Sequence, residues 1–398
     1  MPYPKSGDLT VGMKEEFQLY PEGTTDHGFM DWGWMCHVVD ENGTDYYMDL
    51  GLAKMKMNAT WGAMPFGTED MDSWNLSCNT EKGKVYTPRG QIFKLADFKD
   101  CGSSDFRPFP GGSMKFEEDK ENERLKITLD AFTLEIDVKA KTWHATVYDD
   151  ALDVGVDFTA TGVGYPFWYS KDEVRTYVDH LASIGYNWQC DLEGELNYHG
   201  EKHHVKGLCS RERTVLPDQS NVEAGAWMDL IMFKFDEMRG ALMEYKLSED
   251  KDTCLYINEG DQYFATADPK CPAFGEEDEN MNFEIIHEDW AFLKPIGVFI
   301  PTTYIHKQEC EVGTLVVETK AVGAKVVASR SDTEADCINL TLDTDEVKGT
   351  FYWKDGRVQE LHNGFWINNI VVWRAYPSWI PNFGASNEDF IEINPMKG

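Results

Sequence analysis

Hydrophobic and polar residues alternate along most of the chain with the two-residue period of β-strands. One such stretch, residues 31–39, places four apolar side chains on one face: Trp32, Trp34, Cys36 and Val38. The dipeptide Asn42-Gly43 follows, which is typical of a tight hairpin turn. Residues 45–52 then alternate again in phase. The sequence therefore predicts a β-hairpin close to its N-terminus.

Similar stretches recur along the chain, while segment 171–184 favours either one short helix or an irregular strand. The remaining predicted strands cover 84–95, 125–138, 142–160, 186–198, 203–209, 226–235, 241–246, 254–265, 282–286, 297–305, 313–329, 337–342, 348–354 and 370–375. Regularly spaced turn signals between short strands are typical of meandering antiparallel sheets that close into barrels. The Gly/Pro/aromatic stretch 162–170 separates two sets of strands. We predict an all-β protein with two antiparallel β-barrel domains, residues 1–164 and 165–398.

A single acidic residue, Asp229, interrupts an otherwise apolar predicted strand. Its own face carries Trp227, Ile231, Phe233 and Phe235, and the opposite face carries Met228, Leu230 and Met232. A strand that is apolar on both faces is expected to be buried on both sides. A buried carboxylate without a cationic partner is costly and tends to keep its proton. Asp229 is therefore a candidate general acid or base.

The amino-acid composition limits the classes of binding partner and the cellular location that we expect. The net charge of −33, from 37 basic and 70 acidic residues, argues against nucleic acid and anionic membranes. No run of eighteen apolar residues is present, so we expect no stable membrane insertion. Nine scattered cysteines without a recognisable signal peptide favour a reducing, cytoplasmic location. Four N-glycosylation sequons leave secretion open: Asn42, Asn58, Asn75 and Asn339.

Common catalytic motifs are missing from the chain. It has no phosphate-binding loop, G-x-S-x-G, C-x-x-C or H-E-x-x-H pattern, so we expect neither a cofactor nor a metal. The histidines within 199–204 surround a predicted turn, and we interpret them as ordinary hairpin residues. The sequence does not indicate an oligomeric state.

The segment Arg211-Glu212-Arg213-Thr214 has two interpretations. In the first, these alternating charges lie at the end of a strand and form a solvent-exposed row of ion pairs. In the second, Glu212, Arg211 and Asp229 meet at the mouth of a barrel as one polar patch in an apolar pocket. Two carboxylates there would raise one pKa and give an acid able to protonate an alkene or a carbonyl.

Thirteen tryptophans are present, and packing in a core is the default role of each. As a group they also suit the wall of a pocket for a large flat or polyene ligand, because indole rings stabilise cations. We take Trp34, Trp188 and Trp227 as candidate wall residues. Arg211 and Arg213 are candidates for orienting a polar group of such a ligand.

The order of these features resembles the lipocalin-like carotenoid 1,2-hydratase and kievitone hydratase superfamily, which shares its architecture with fungal lipocalin-like Diels–Alderases. The resemblance rests on a Trp-rich hairpin at 31–54, the strand pair 194–207 with its Val-x-Gly element, the polar motif 211–214 and Trp-x-Asp at 227–229. It implies lipocalin-like barrels and a functional Asp229. The hydratases carry an Asp-His-x-Trp type motif where this chain has 211–214, and Trp227 replaces a Tyr.

Three functions follow as hypotheses. The first is a cofactor-independent lyase or isomerase, a hydratase, dehydratase or cyclase, acting on a hydrophobic terpenoid- or polyketide-like molecule. Asp229 or Glu212 would be its general acid/base. The second is a pericyclic cyclase that works by holding a polyene in a reactive fold. The third is a non-catalytic carrier of apolar ligands.

Overall fold

The structure is a computed structural model that describes Glu16 and most of the chain between residues 27 and 375. The described segments after Glu16 are 27–57, 60–61, 64–65, 70–80, 85–86, 107–164, 166–168, 175–177, 181–218, 227–245, 251–259, 262–266, 281–293, 298–331 and 335–375. No helix in these segments is long and apolar enough to cross a bilayer.

The elements with described bounds are β-strands, which confirms the predicted all-β class. In chain order they are β1 His27–Asp40, β2 Asp45–Met57, β3 Thr60–Trp61, β4 Met64–Pro65, β5 Met71–Asn79, β6 Val85–Tyr86, β7 Arg107–Pro110, β8 Lys115–Asp119, β9 Arg124–Leu129, β10 Phe132–Asp137, β11 Thr142–Asp149, β12 Val154–Gly162, β13 Phe167–Trp168, β14 Arg175–Tyr177, β15 Leu181–Tyr198, β16 Glu201–Asp218, β17 Trp227–Lys234, β18 Met238–Tyr245, β19 Lys251–Ile257, β20 Gln262–Thr266, β21 Asn282–Leu293, β22 Val298–Cys310, β23 Gly313–Ser331, β24 Ala335–Thr344, β25 Lys348–Trp353, β26 Val358–Glu360 and β27 Phe365–Ala375.

The first sheet is antiparallel and curls around a hydrophobic interior. Its strand order is β7-β5-β2-β1-β16-β15-β12-β11-β10-β9-β8, with β13 and β14 paired to β15. The ring of Trp34 on β1 lies 6.5 Å from that of Phe132 on β10, five strands away in this order. Such a contact requires the sheet to fold back on itself. We call the buried interior the first core; it includes Trp32, Trp34, Trp143 and Trp188.

The second sheet encloses a second core in the same manner. Its order is β20-β19-β18-β17-β27-β24-β23-β22-β21, with β25 and β26 attached through β23. Phe233 on β17 lies 5.4 Å from His306 on β22, four strands away, so this sheet curls as well. The second core includes Ile231, Phe233, Tyr304 and Trp366. Short strands from earlier in the chain, β3, β4 and β6, also join this sheet next to β23.

The two sheets pack against each other through the outer faces of a few strands. Met35 and Leu208 of the first sheet meet Leu230, Met232 and other apolar residues of the second. The long strands β15 and β16 belong to the first sheet, so the change of sheet falls between Asp218 and Trp227. The sequence analysis placed a domain boundary earlier, at residues 164/165.

Several predicted strands prove to be hairpins. Segment 125–138 forms β9 and β10, which are separated by a turn at Asp130 with a positive φ of 51°. Segment 142–160 divides in the same way at Asp153, whose φ is 53°. Aspartate tolerates this left-handed conformation better than most residues, so a single aspartate marks each of these turns. The described parts of 171–184 are strand, not helix.

Close approach of neighbouring strands makes Gly207 a sensitive position. A Cβ atom there would lie 2.2 Å from the carbonyl oxygen of His37 and 2.7 Å from the Cα of Val38. We expect Gly207→Ala to lower the free energy of unfolding by about 1–3 kcal/mol. Lys206→Ala, one residue earlier on the exposed face, is the control and should be near neutral. Equal denaturation midpoints for both variants would contradict this packing.

Candidate active site

Alternation along β16 divides the polar motif 211–214 between two faces of the first sheet. Arg211 and Arg213 point into the first core and are almost completely buried. Glu212 and Thr214 point to the outer face, which is the face that also packs against the second sheet. Adjacent residues of the motif therefore serve different environments.

The register of β1 against β16 brings a second carboxylate to Glu212. Asp31 pairs with Thr214, and Gly33 pairs with Glu212. The backbone N–H of Thr214 donates to Asp31 Oδ1 at 3.0 Å, and its hydroxyl donates to Glu212 Oε1 at 3.1 Å. Thr214 thus links two carboxyl groups from neighbouring strands. We call Asp31, Glu212 and Thr214 the carboxyl patch.

The carboxyl group of Asp31 has an unusual pKa. Burial and the neighbouring charge of Glu212 raise the pKa of Asp31 well above its usual value, against the opposing effect of Arg213 behind the sheet. Two nearby carboxylates resist simultaneous ionisation, and a shared hydrogen-bond donor does not remove that repulsion. The side chains of Asp31 and Glu212 are half-buried at the surface of the sheet. The patch offers a proton donor beside a proton acceptor.

Small residues surround the carboxyl patch on its sheet. Gly33 pairs with Glu212 on one side and with Gly51 on the other. Thr214 pairs with Gly185 on β15, and Asp31 pairs with Ala53 on β2. Small residues at these positions allow the carboxyl groups and the neighbouring strands to approach one another closely. A Cβ added at Gly33 would lie only 3.3 Å from Asp31 Oδ2.

Asp229 lies elsewhere, in the second core. Its side chain is 1% exposed, as the sequence predicted, and its Oδ1 accepts a hydrogen bond from Asn368 Nδ2 at 2.5 Å. Its Oδ2 lies 3.6 Å from His287 Nε2. The ring of Tyr304 is 5.2 Å from that of His287, and burial together with Asp229 raises the pKa of this phenol well above its usual value. Aspartate, imidazole and phenol form a second polar cluster.

The structure brings only some of the predicted site residues together. Arg211, Trp34 and Trp188 are cross-strand neighbours in the first core, and Arg213 lies beside them. Asp229 belongs to the second core, so the single patch of Glu212, Arg211 and Asp229 is not formed. Alternation along β16 puts Arg211 and Glu212 on opposite faces of the first sheet, and β17, which carries Asp229, belongs to the second sheet. Trp227 begins β17 opposite Val372, and its side chain lies outside the described residues.

Sequence reasoning missed several members of these clusters. Asp31 was interpreted only as the start of a Trp-rich hairpin, because nothing local indicates that β16 will pair with β1. Glu16 reaches the first core from ahead of the first strand, in a segment without a periodic pattern. His287 and Tyr304 sit on strands β21 and β22, where alternation places them on an inward face. Their polarity in that position was an available signal.

One group among the described residues has the spacing for a metal ion. The ligand atoms of Asp40, Glu41 and His203 all lie within 4.8 Å of one another. Backbone N–H groups of Asn42 and Thr44 already donate to Asp40 Oδ1 at 2.8 Å each. The group lies at the β1–β2 hairpin, nine residues along β1 from Asp31, and is separate from the carboxyl patch.

Two open clefts border the packing between the sheets. One of about 770 Å³ is lined by residues that include His37, Asp45 and Glu318, and one of about 750 Å³ by residues that include Asp191 and Lys234. Their charged linings do not suit a hydrophobic ligand. Neither cleft includes the predicted site residues.

Comparisons with known proteins identify solved structures with a similar fold. No protein-family model matches the chain, and neither does any curated protein sequence. A protein of Nitrosomonas europaea assigned as an AttH superposes with a TM-score of 0.51 at 11% identity, over 93% of this chain and 98% of that one. CghA superposes with a TM-score of 0.51 at 11% identity, over 94% and 95%. Kievitone hydratase from Nectria haematococca gives 0.46 at 9% identity, over 94% and 98%.

At these identities the likeness to the first two structures shows the fold alone. The chain is an all-β protein with a lipocalin-like fold. The resemblance predicted from the sequence is confirmed at this level.

The raised pKa of Asp31 gives a signed prediction for stability. The folded state holds this proton more tightly than the unfolded state, so its contribution is greatest below the ordinary aspartate pKa and is lost as pH rises through the raised value. The free energy of unfolding of the wild-type protein should therefore fall relative to that of Asp31→Asn as pH increases from 4 to 8. The expected loss is about 1.4 kcal/mol for each unit by which folding raises the pKa of Asp31. Chemical denaturation at each pH measures the difference.

The control is Asp137→Asn, where the sign is reversed. Hydrogen bonding to the backbone N–H of Ala140, and to Arg124, lowers the pKa of Asp137 against the effect of burial. Wild-type protein should gain stability relative to this variant as pH rises through the range where Asp137 ionises. Parallel pH profiles for wild type and Asp31→Asn would contradict the account of the carboxyl patch.

Proposed function

We propose that the protein is a cofactor-independent lyase or isomerase that acts on a hydrophobic terpenoid- or polyketide-like molecule by acid/base catalysis. The carboxyl patch carries this proposal, because Asp31 with its raised pKa supplies a proton donor, and Glu212, bound to the same Thr214, supplies an acceptor. Glu212 was a predicted catalytic residue, and Asp31 takes the place expected for Asp229. Hydration, dehydration and acid-initiated cyclisation can all use such a pair.

In the proposed reactions Asp31 gives a proton to the substrate and Glu212 removes one. In dehydration, Asp31 protonates a substrate hydroxyl, water leaves with the bonding electrons, and Glu212 removes a proton from the adjacent carbon to form the alkene. Hydration runs through the same steps in reverse. In cyclisation, protonation of an alkene or carbonyl by Asp31 starts ring closure, and loss of a carbon-bound proton to Glu212 ends it.

Several features support an apolar substrate. The surface beside the carboxyl patch continues into the apolar contact between the sheets, at Met35 and Leu208. The high negative charge disfavours anionic macromolecules as partners. CghA, which shares the fold, has been crystallised with the compound Sch210972. A hydrophobic small molecule therefore remains the proposed partner.

A second candidate site for the same reaction class is Asp229. The contact with His287 and the hydrogen bond from Asn368 hold its carboxylate in one orientation. The hydroxyl of Tyr304 is completely buried and has no hydrogen-bond partner in the described segments, so a ligand carbonyl there would gain a donor. In this alternative Asp229 with His287 moves the proton and Tyr304 polarises the substrate.

The test is conversion in D2O. Polyene alcohols, ketones and their dehydrated counterparts are incubated with wild-type protein and followed by mass spectrometry. Hydration, or a cyclisation that begins with protonation of an alkene, should place solvent deuterium on a product carbon, whereas dehydration should appear as the loss of one water from the substrate. In each case Asp31→Asn should lower the rate by about 10²–10⁴-fold. Asp137→Asn, a folded control away from the patch, should retain the rate.

Other outcomes select the alternatives. Conversion without deuterium that survives Asp31→Asn favours a pericyclic cyclase. Compounds that are bound but recovered unchanged at every pH favour a carrier. Loss of rate in Asp229→Asn but not in Asp31→Asn moves the chemistry to the second core.

The pH profile gives a further prediction. Activity that needs protonated Asp31 falls as pH rises through its pKa. The negative charge of Glu212 raises the pKa of Asp31, and Glu212→Gln removes this charge. The pKa of Asp31 should fall, so the alkaline limb of kcat/KM should move to lower pH. The residual activity of this variant should also be reduced, since the acceptor is lost. An alkaline limb that stays in place, or moves upward, contradicts the assignment of Asp31 as the acid.

A further inference from the structure

The first core contains two buried arginines held between aromatic rings. Arg211 pairs across the sheet with Trp34 on β1 and Trp188 on β15. Its guanidinium carbon lies 4.7 Å from the centre of the Trp34 ring. Arg213 lies 4.2 Å from the ring of Trp32 in the next cross-strand row. Aromatic faces stabilise guanidinium groups, but they do not neutralise the charge.

One residue from outside the sheet provides the carboxylate. Glu16 is completely buried, and its Oε2 accepts from Arg211 at 2.9 Å. Its Oε1 accepts from Trp143 Nε1 at 3.1 Å and from the hydroxyl of Tyr186. Its backbone carbonyl accepts from Trp32 Nε1 at 3.1 Å. Four side chains of the first sheet therefore donate to a single residue that precedes β1.

Two donors in this interior are unused within the described part of the chain. Arg213 donates to the backbone carbonyls of Asp31 and Thr214 at 2.9 and 3.1 Å. Arg211 Nε and Trp34 Nε1 are buried and have no hydrogen-bond partner in the described part of the chain. Burial and Arg211 lower the pKa of Arg213 to about 10, against the effect of Glu16. The unused donors therefore belong to Arg211, which binds Glu16, and to Trp34, whose ring packs on Arg211.

We propose that the interior of the first sheet is a binding site for a short aliphatic carboxylate, and that Glu16 occupies it as an intramolecular ligand. Arg211 provides the ion pair, Trp143 and Tyr186 bind the second oxygen, and the indole rings enclose the aliphatic stem. Free carboxylates compete with Glu16 for the same donors. The site lies on the face of the sheet opposite the carboxyl patch and takes no direct part in the proposed reaction.

The geometry favours a carboxylate over other anions. Three donors converge on the two oxygens of one planar group, as in other charge-assisted contacts of arginine with carboxylates. Aromatic side chains enclose the site, so a stem like the two methylene groups of glutamate suits it better than the hydrated oxygens of phosphate. Because Glu16 belongs to the same chain, its effective concentration at the site is high. Free carboxylates therefore bind only weakly to the wild-type protein.

The experiment replaces Glu16 and restores the missing group from solution. Glu16→Ala removes the atoms equivalent to acetate, leaving Arg211 without its partner. The melting temperature of the variant should fall, and acetate should raise it again in a saturable manner. Acetamide, which has the same shape without the charge, and sodium chloride at equal ionic strength should not. The double variant Glu16→Ala/Arg211→Met should show no response to acetate.

Three results would overturn the proposal: an unchanged melting temperature in Glu16→Ala, equal effects of acetate and acetamide, or an acetate response that survives loss of Arg211. If Glu16→Ala does not fold in plain buffer, refolding yield replaces the melting temperature. Acetate in the refolding buffer should then restore folded protein, and acetamide should not. Equal yields in the two buffers would again refute the site.

Discussion

The alternation of side chains along β16 determines the chemistry on both sides of the first sheet. Arg211 and Arg213 enter the first core, whereas Glu212 and Thr214 face outward. A shift of one residue in the pairing would exchange these positions and bury Glu212 among indole rings. The register against β1 is therefore under strong constraint. It places Asp31 beside Thr214 on one face and Trp34 beside Arg211 on the other.

The same sheet thus separates opposite charges by the thickness of one layer. The outer face holds two carboxyls that compete for one proton, and the inner face holds two guanidinium groups with Glu16. Arg213 lowers the pKa of Asp31 through the sheet, while Glu212 and burial raise it. The balance between these effects decides whether Asp31 can act as an acid near neutral pH. Function at the outer face consequently depends on how well the inner charges are compensated.

The sequence was sufficient to predict what local patterns encode. The first hairpin, the all-β class and the burial of Asp229 follow from a period of two and from turn residues. The lipocalin-like fold followed from a resemblance spread over the chain. The pairing of β1 with β16 joins residues 31 and 214, and no local pattern reports it. Glu16 was missed for the same reason, since its partners on β11, β15 and β16 are distant in sequence.

Direct titration of Asp31 tests the central claim. Carbon-13 labelling of aspartate carboxyls allows NMR to follow each group with pH, and Asp31→Asn identifies the resonance. The account predicts that Asp31 titrates well above the ordinary aspartate range, and that Glu212→Gln moves its pKa downward. A normal pKa for Asp31 in the wild-type protein, unchanged in Glu212→Gln, would contradict it.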